Sequence, residues 1–226
     1  MTLVMYFIIL FLLLETQTFT KIYGNNKNLA WAYQNEKWEH LFAKEYLSTP
    51  GRLLDIGCGG GDFLKIVEDK ATQVTGLETN QIGIQLGRTR QLDIINDTIE
   101  NHALNFPEYY DTVTLFQVLE HVCYVKEFVL ACIAVLKKEG RLVISVPNNE
   151  SFIQHDPELP LNMPPHHVGL WNRTSLEGLS KFFNITLIRH DFEPLQEMNT
   201  AWYQAVMEKN TCRRVEFFGH FTIDCE

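Results

Sequence analysis

With 226 residues, 46% of them apolar and 21% charged, the chain is long enough to bury a full core and too apolar to be disordered, so one globular domain is expected. Its 28 acidic residues against 19 basic ones leave a net charge of −9, which disfavours a nucleic-acid substrate because there is no cationic footprint for a phosphate backbone. Five scattered cysteines, Cys58, Cys123, Cys132, Cys212 and Cys225, form neither a C-x-x-C pair nor a zinc-finger spacing, and read as reduced thiols of a cytoplasmic protein.

The chain opens on Leu3–Leu14, an unbroken run of twelve apolar residues, well short of the roughly 20 residues that a membrane-spanning helix needs. No basic residue precedes the run, the first being Lys21, and no small-x-small cleavage site follows it. Residues 1–20 are therefore expected to be a hydrophobic helix or strand packed on the domain, or an N-terminal extension, with peripheral membrane attachment as the alternative. After a polar loop at Lys21–Asn28, the residues Trp31, Trp38, Leu41, Phe42 and Leu47 recur at helical spacing, so 21–50 reads as an N-terminal helical segment ended by Pro50-Gly51.

Residues 51–226 then alternate between strand and helix patterns. Arg52–Gly57 is the first strand; it runs into the turn Gly57-Cys58-Gly59-Gly60-Gly61, and Asp62–Lys70 is the helix that leaves the turn. A turn of this kind at the carboxyl end of a parallel strand is where ligands bind, and its backbone N–H groups are expected to point into the crevice. Gln73–Glu78 is a second strand with an acidic end, followed by a helix from Asn80 that Gly83 and Gly87 dilute.

Ile94–Asp97 and Asp111–Phe116 are the third and fourth strands. From Val125 the stripe Phe128, Val129, Cys132, Ile133 and Leu136 marks an amphipathic helix, and Arg141–Val146 is the fifth strand. The long loop after Pro147, rich in Pro, Asn and His, has the character of a substrate lid. Thr174-Ser175-Leu176-Glu177 reads as a capping box, Ile185–Phe192 as a sixth strand, Thr211–Phe218 as a connector and Gly219–Cys225 as a seventh strand. The expected fold is a doubly wound, seven-stranded, mainly parallel α/β sheet with helices on both faces and right-handed crossovers.

A nicotinamide or flavin fingerprint needs G-x-G-x-x-G, but the position of its third glycine is Asp62 here. Asp62 together with Asp55 repels a pyrophosphate and suits a cationic ligand. Glu78, 21 residues after Gly57 at the end of the next strand, is placed to accept both hydroxyls of a ribose. The three carboxylates favour an adenosine cofactor that carries positive charge and no phosphate.

The segment Leu54-Asp55-Ile56-Gly57-Cys58-Gly59-Gly60-Gly61 resembles the first motif of class I S-adenosylmethionine-dependent methyltransferases, and the likeness runs from about residue 50 to the C-terminus. Phe116-Gln117-Val118-Leu119-Glu120-His121-Val122 and Pro164-Pro165-His166-His167 resemble the branch that contains the ubiquinone-biosynthesis O-methyltransferases. The resemblance implies a Rossmann-like fold, S-adenosylmethionine as cofactor and a small-molecule acceptor, with the hydroxyl of a phenol, quinol or sugar as the expected target. By position it implies that Asp55 and the turn of Gly57, Cys58, Gly59 and Gly61, continued by Asp62, hold the methionine amino and carboxylate groups. Glu78 then takes the ribose, Thr98 and Ile99 flank the adenine, and Phe116-Gln117 lie under the methionine part. Ordinary loop packing is the alternative for Thr98 and Ile99.

Methyl transfer from a sulfonium has a neutral leaving group, so alignment in a dry pocket supplies most of the catalysis and only a hydroxyl or amine acceptor needs a proton removed. His121, His166 and His167 are the candidate bases. In some relatives an acidic residue three before the Glu-His pair joins both in holding a divalent cation. Here the pair is Glu120-His121 and the earlier position is Gln117, so a metal on Glu120, His121 and His167 is left open without being favoured. The rivals are an NAD(P)-dependent oxidoreductase and a non-catalytic binding module tethered to a membrane through Leu3–Leu14.

Overall fold

A computed structural model describes residues 4–10, 37–156, 159 and 162–216. In chain order the strands are β1 (Val4–Leu10), β2 (Arg52–Ile56), β3 (Gln73–Leu77), β4 (Ile94–Ile95), β5 (Tyr110–Phe116), β6 (Leu136–Pro147) and β7 (Thr186–Phe192). The helices are α1 (Trp38–Tyr46), α2 (Asp62–Val67), α3 (Gln81–Thr89), α4 (Ile99–Asn105), α5 (Val125–Val135), α6 (Arg173–Phe182) and α7 (Thr200–Glu216).

The strands lie in the order β4-β3-β2-β5-β6-β1-β7, and every strand pair among the described residues is parallel. A parallel strand covered on both faces must be apolar on both, and β2 and β5 meet that demand. Leu54, Ile56, Val113 and Leu115 join Ile99, Phe128, Cys132 and Leu176 in the core on one face of the sheet. Leu53 and Phe116 join Ala43, Leu47, Phe63, Leu64 and Val67 in the core on the other. Helices therefore cover both faces: α1 and α2 on one side, α4, α5 and α6 on the other.

Three expectations need correction, and a further one falls on residues that are not described. Over Val4–Leu10 the apolar start is a strand built into the domain, as one reading had it, and not an appended extension: it is paired with β6 on one edge and β7 on the other. The seventh strand expected at Gly219–Cys225 lies outside the described residues. The connector expected at Thr211–Phe218 is, as far as Glu216, the end of α7. The capping box that opens α6 sits earlier than expected, with Asn172 as the cap and Ser175 as its reciprocal partner, because Asn172 Oδ1 accepts the Ser175 N–H at 2.8 Å and Ser175 Oγ accepts the Asn172 N–H at 2.9 Å. No helix among the described residues is long and apolar enough to cross a membrane.

The winding reverses at β2. The chain leaves it outward through β3 to β4, then returns to build β5 and β6 on its other edge, which opens a crevice at the carboxyl ends of β2 and β5. Gly57 makes the exit from β2 at φ +67°, and a Cβ there would stand 2.6 Å from Val118 Cγ2. Gly57→Ala therefore combines a left-handed backbone with a side-chain collision, and is expected to lower stability by about 2 kcal/mol in urea unfolding with an unchanged m-value.

Candidate active site

The turn after β2 folds inward on itself. The N–H groups of Gly57 and Cys58 both donate to the Leu77 carbonyl, at 2.8 and 3.1 Å, and that of Gly61 donates to the Cys58 carbonyl at 2.9 Å. The Gly59 N–H donates to Glu78 Oε2 at 2.7 Å. These four groups bond within the protein, so of the turn's N–H groups only that of Gly60 is left to face a ligand. What it offers is space. A Cβ at Gly60 or Gly61 would run into Leu86 or Leu92, whereas one at Gly59 would meet nothing within 4 Å.

Two carboxylates face this space from fixed positions. Asp55, on β2, is 3% exposed and accepts a 2.7 Å hydrogen bond from Thr114 Oγ1 on β5, directly across the pair of strands. Burial pushes its carboxyl up to about 7, against the downward pull of the Thr114 bond and of Lys37, while Glu78 adds a smaller upward push. Glu78 stands at the lip of the turn, its Oε1 accepting the N–H groups of Thr79 and Asn80, both at 2.7 Å. The third carboxylate does not converge with them: Asp62 is paired with Arg90 at 2.5 Å, and Arg90 also binds the Gly60 carbonyl at 3.0 Å. Asp62 thus closes the outside of the turn.

The remaining residues singled out in the sequence are distributed around this crevice. Cys58 is half-buried against Gly76, with a thiol that burial pushes up. Thr98 caps α4, its Oγ1 accepting the Asn101 N–H at 3.4 Å, and Ile99 is buried in the core. Phe116 is wedged against Phe63 and His40. Gln117 turns into the left-handed region at φ +58°, where its N–H and Nε2 both donate to Ser145, each at 2.9 Å. Trp202 packs edge to face on Phe152.

Sequence reading missed Glu39 and His40. Glu39 shares one row of α1 with Ala43 and Leu47, all three within 1% of full burial, and neither of its carboxylate oxygens has a hydrogen-bond partner. A carboxylate in an i, i+4, i+8 row of small and apolar residues was the signal. Burial pushes Glu39 up and holds His40 well below the usual imidazole range.

On the far side of the crevice two distant segments meet. Glu120 and His121 lie in a single 3₁₀ turn, Leu119–His121, just beyond Val118, the side chain against Gly57. The Glu120 carbonyl accepts the N–H groups of Val168 and Gly169, at 2.9 and 3.0 Å, and His121 Nδ1 binds the His166 carbonyl at 2.8 Å. The result is a trio of imidazoles, His121, His166 and His167, with one ring nitrogen of each within 4.8 Å of the others. His167 is 4% exposed, and burial first, then the charges of His121 and His166, push it down to about 3. The expected metal set is thus altered: the histidines converge as three, and the buried Glu120 carboxylate is outside their group. Arg173, at the start of α6, is paired with Glu177 at 2.7 Å.

The methyltransferase-domain family matches residues 30–190 of this chain. Among curated proteins, the ubiquinone biosynthesis O-methyltransferase of Proteus mirabilis is 32% identical over 143 residues, covering 59% of this chain and 56% of its own length. That of Yersinia enterocolitica is 34% identical over 106 residues, covering 44% of each. The chain spans about half the length of the curated relatives it matches. The crystal structure of a SAM-dependent methyltransferase from Archaeoglobus fulgidus superposes with a TM-score of 0.58 at 17% identity, over 86% of this chain and 91% of that one. One from Thermotoga maritima, described as a possible histamine N-methyltransferase, gives 0.56 at 21% identity, over 74% and 77%. At such identities the superpositions establish the fold.

The buried Asp55 carboxyl has a cost for the empty protein. Because its folded-state value lies above the ordinary carboxylate value of 3.8, the folded form keeps a proton that the unfolded chain has lost, and stability falls as pH rises from about 4 to about 7. Asp55→Asn keeps an acceptor for Thr114 and removes the ionisation. Its thermal midpoint should match that of the parent near pH 4 and exceed it at pH 8, by a few kcal/mol on the free-energy scale.

Proposed function

The chain belongs to the class I S-adenosylmethionine-dependent methyltransferases, and on that premise we propose that it methylates a small molecule at oxygen, on a phenol, quinol or sugar hydroxyl. The observation that carries the choice of oxygen is the imidazole trio, which begins three residues beyond the contact between Val118 and the glycine turn. A hydroxyl must shed its proton to attack a methyl group, and imidazole nitrogens are suited to orient it and to receive that proton. The net charge of −9 and the printed activity of the curated relatives support a small acceptor over a nucleic acid.

When bound, the cofactor supplies a methyl group on a sulfonium that departs as a neutral thioether. The fit of the crevice to such a group rests on its two carboxylates, Asp55 and Glu78. We assign the Asp55 carboxylate to the positive charges of the methionine part and the open side of Gly59 to its backbone-like end. Glu78 keeps lone pairs beyond its three N–H bonds and is assigned to the ribose hydroxyls. Thr98 and Ile99 border the adenine, and Phe116 and Gln117 support the methionine part from the end of β5. Gly57, Cys58 and Gly61 shape the turn, and Asp62 acts through Arg90 to hold it closed. Cys58, Cys123 and Cys132 are free thiols, in keeping with work in a reducing cytoplasm.

Incubation with methyl-labelled S-adenosylmethionine and a panel of catechols, hydroquinones and sugars tests the proposal. Label is expected in an alkali-stable ether, and His121→Ala should lower kcat by about 100-fold while leaving the affinity for S-adenosylhomocysteine unchanged. Label that stays on the cofactor, or that appears only on amines, contradicts it.

A further inference from the structure

Helix α1 crosses the sheet with its first turn over the crevice. His40 packs edge-on against Phe116, at the carboxyl end of β5, with ring centroids 4.9 Å apart, and lies 5.3 Å from the ring of Phe63 on α2. On the opposite flank of the helix, Phe42 and Tyr46 hold the Arg189 guanidinium of β7 over their rings, at 4.8 and 4.9 Å. At about 100° per residue, Glu39 falls between these two flanks, in the row with Ala43 and Leu47 that packs onto the sheet. The strand register fixes what lies below that row. Asp55 pairs with Thr114 across β2 and β5, and Phe116 with Ser145 across β5 and β6, so these four residues share the face that α1 covers.

Glu39 is fully buried there, and neither of its carboxylate oxygens has a hydrogen-bond partner among the described residues. Burial pushes its carboxyl up, against the pull of Lys37 and of its own backbone N–H. Lys37 acts on Asp55 and His40 as well, so one ammonium lies within electrostatic reach of all three groups. Native proteins seldom seal an acid away unpaired, and such a group beside a binding crevice points to a ligand that brings the missing charge. We propose that the Glu39 carboxylate is the counter-charge for the sulfonium, a specificity residue that favours S-adenosylmethionine over S-adenosylhomocysteine. Coulomb attraction in a dry interior carries well beyond van der Waals contact, so Glu39 acts from its row in α1. The neutral thioether of the product lacks the charge and gains nothing from the acid. Asp55 acts on the amino group too, which cofactor and product share. The inference rests on the methyl-transfer reading, because it takes that cofactor as its premise.

Calorimetric titration of the full chain with S-adenosylmethionine and with S-adenosylhomocysteine tests the assignment. Glu39→Gln should weaken S-adenosylmethionine by about 10-fold and hold S-adenosylhomocysteine within about threefold, so that the ratio of the two affinities shifts. Glu39→Met, which fills a similar volume without polarity, should shift the ratio equally, and Glu39→Asp should restore most of it. Glu45→Gln makes the same change of charge on the exposed side of α1 and should move neither affinity. Without ligand, Glu39→Gln and Glu39→Met should melt no lower than the parent, because each relieves an unpaired buried acid. A parallel loss of both ligands would leave Glu39 with a structural role only, and an unchanged ratio in both variants would remove it from the site; either result overturns the assignment. A parent that binds neither ligand would overturn the methyl-transfer reading and this one with it, whereas an unchanged ratio against a parent that binds both falls on Glu39 alone.

Discussion

A single buried carboxyl organises this molecule. Asp55 lies on the strand where the winding of the sheet reverses, bonded across to Thr114 on the strand that returns, in a place where water cannot solvate it. An acid so placed is a burden to the empty fold, since burial holds it near neutrality. It becomes an asset only with a cation above it. The turn that follows is consistent with that demand: it spends four of its five N–H groups on Leu77, Glu78 and Cys58, so it presents acidic and open surface where a dinucleotide loop presents a row of donors.

The other half of the site is built by a different device. The Glu120 carbonyl gathers the N–H groups of Val168 and Gly169, and His121 reaches the His166 carbonyl, so that a loop far along the chain is tied to the end of β5. Gln117 and Ser145 brace the same point from β6. The consequence is that the glycine turn and the histidine turn share one frame, with Val118 seated between His121 and Gly57. Methyl transfer depends on alignment more than on acid–base power, and a shared frame serves alignment.

What could be read from the sequence was what is local in it. The glycine turn, Asp55 and Glu78 each announce themselves within one strand and its exit, and the structure puts them at the crevice. Asp62 was legible as an acid but not as a neutralised one, because its partner Arg90 comes from the end of α3, where no short pattern links the two. The meeting of His121 with His166 depends on backbone bonds from Glu120, which no side-chain motif encodes. Val4–Leu10 was recognisable as apolar, yet an apolar run does not say whether it covers a domain or enters a sheet; only the two vacant edges of β6 and β7 decide that. Glu39 shows the converse case, in which a break in a helical row was visible and passed over.

The central claim is that the crevice binds a sulfonium adenosine through an ionised Asp55, and calorimetric titration of S-adenosylmethionine against pH tests it most directly. A cation stabilises the ionised carboxyl, so affinity should rise by roughly tenfold between about pH 5.5 and about pH 7.5 and level off above that, while NADH shows no saturable binding at either pH. An affinity for S-adenosylmethionine that does not change over this range, or NADH binding as tightly, would contradict the account.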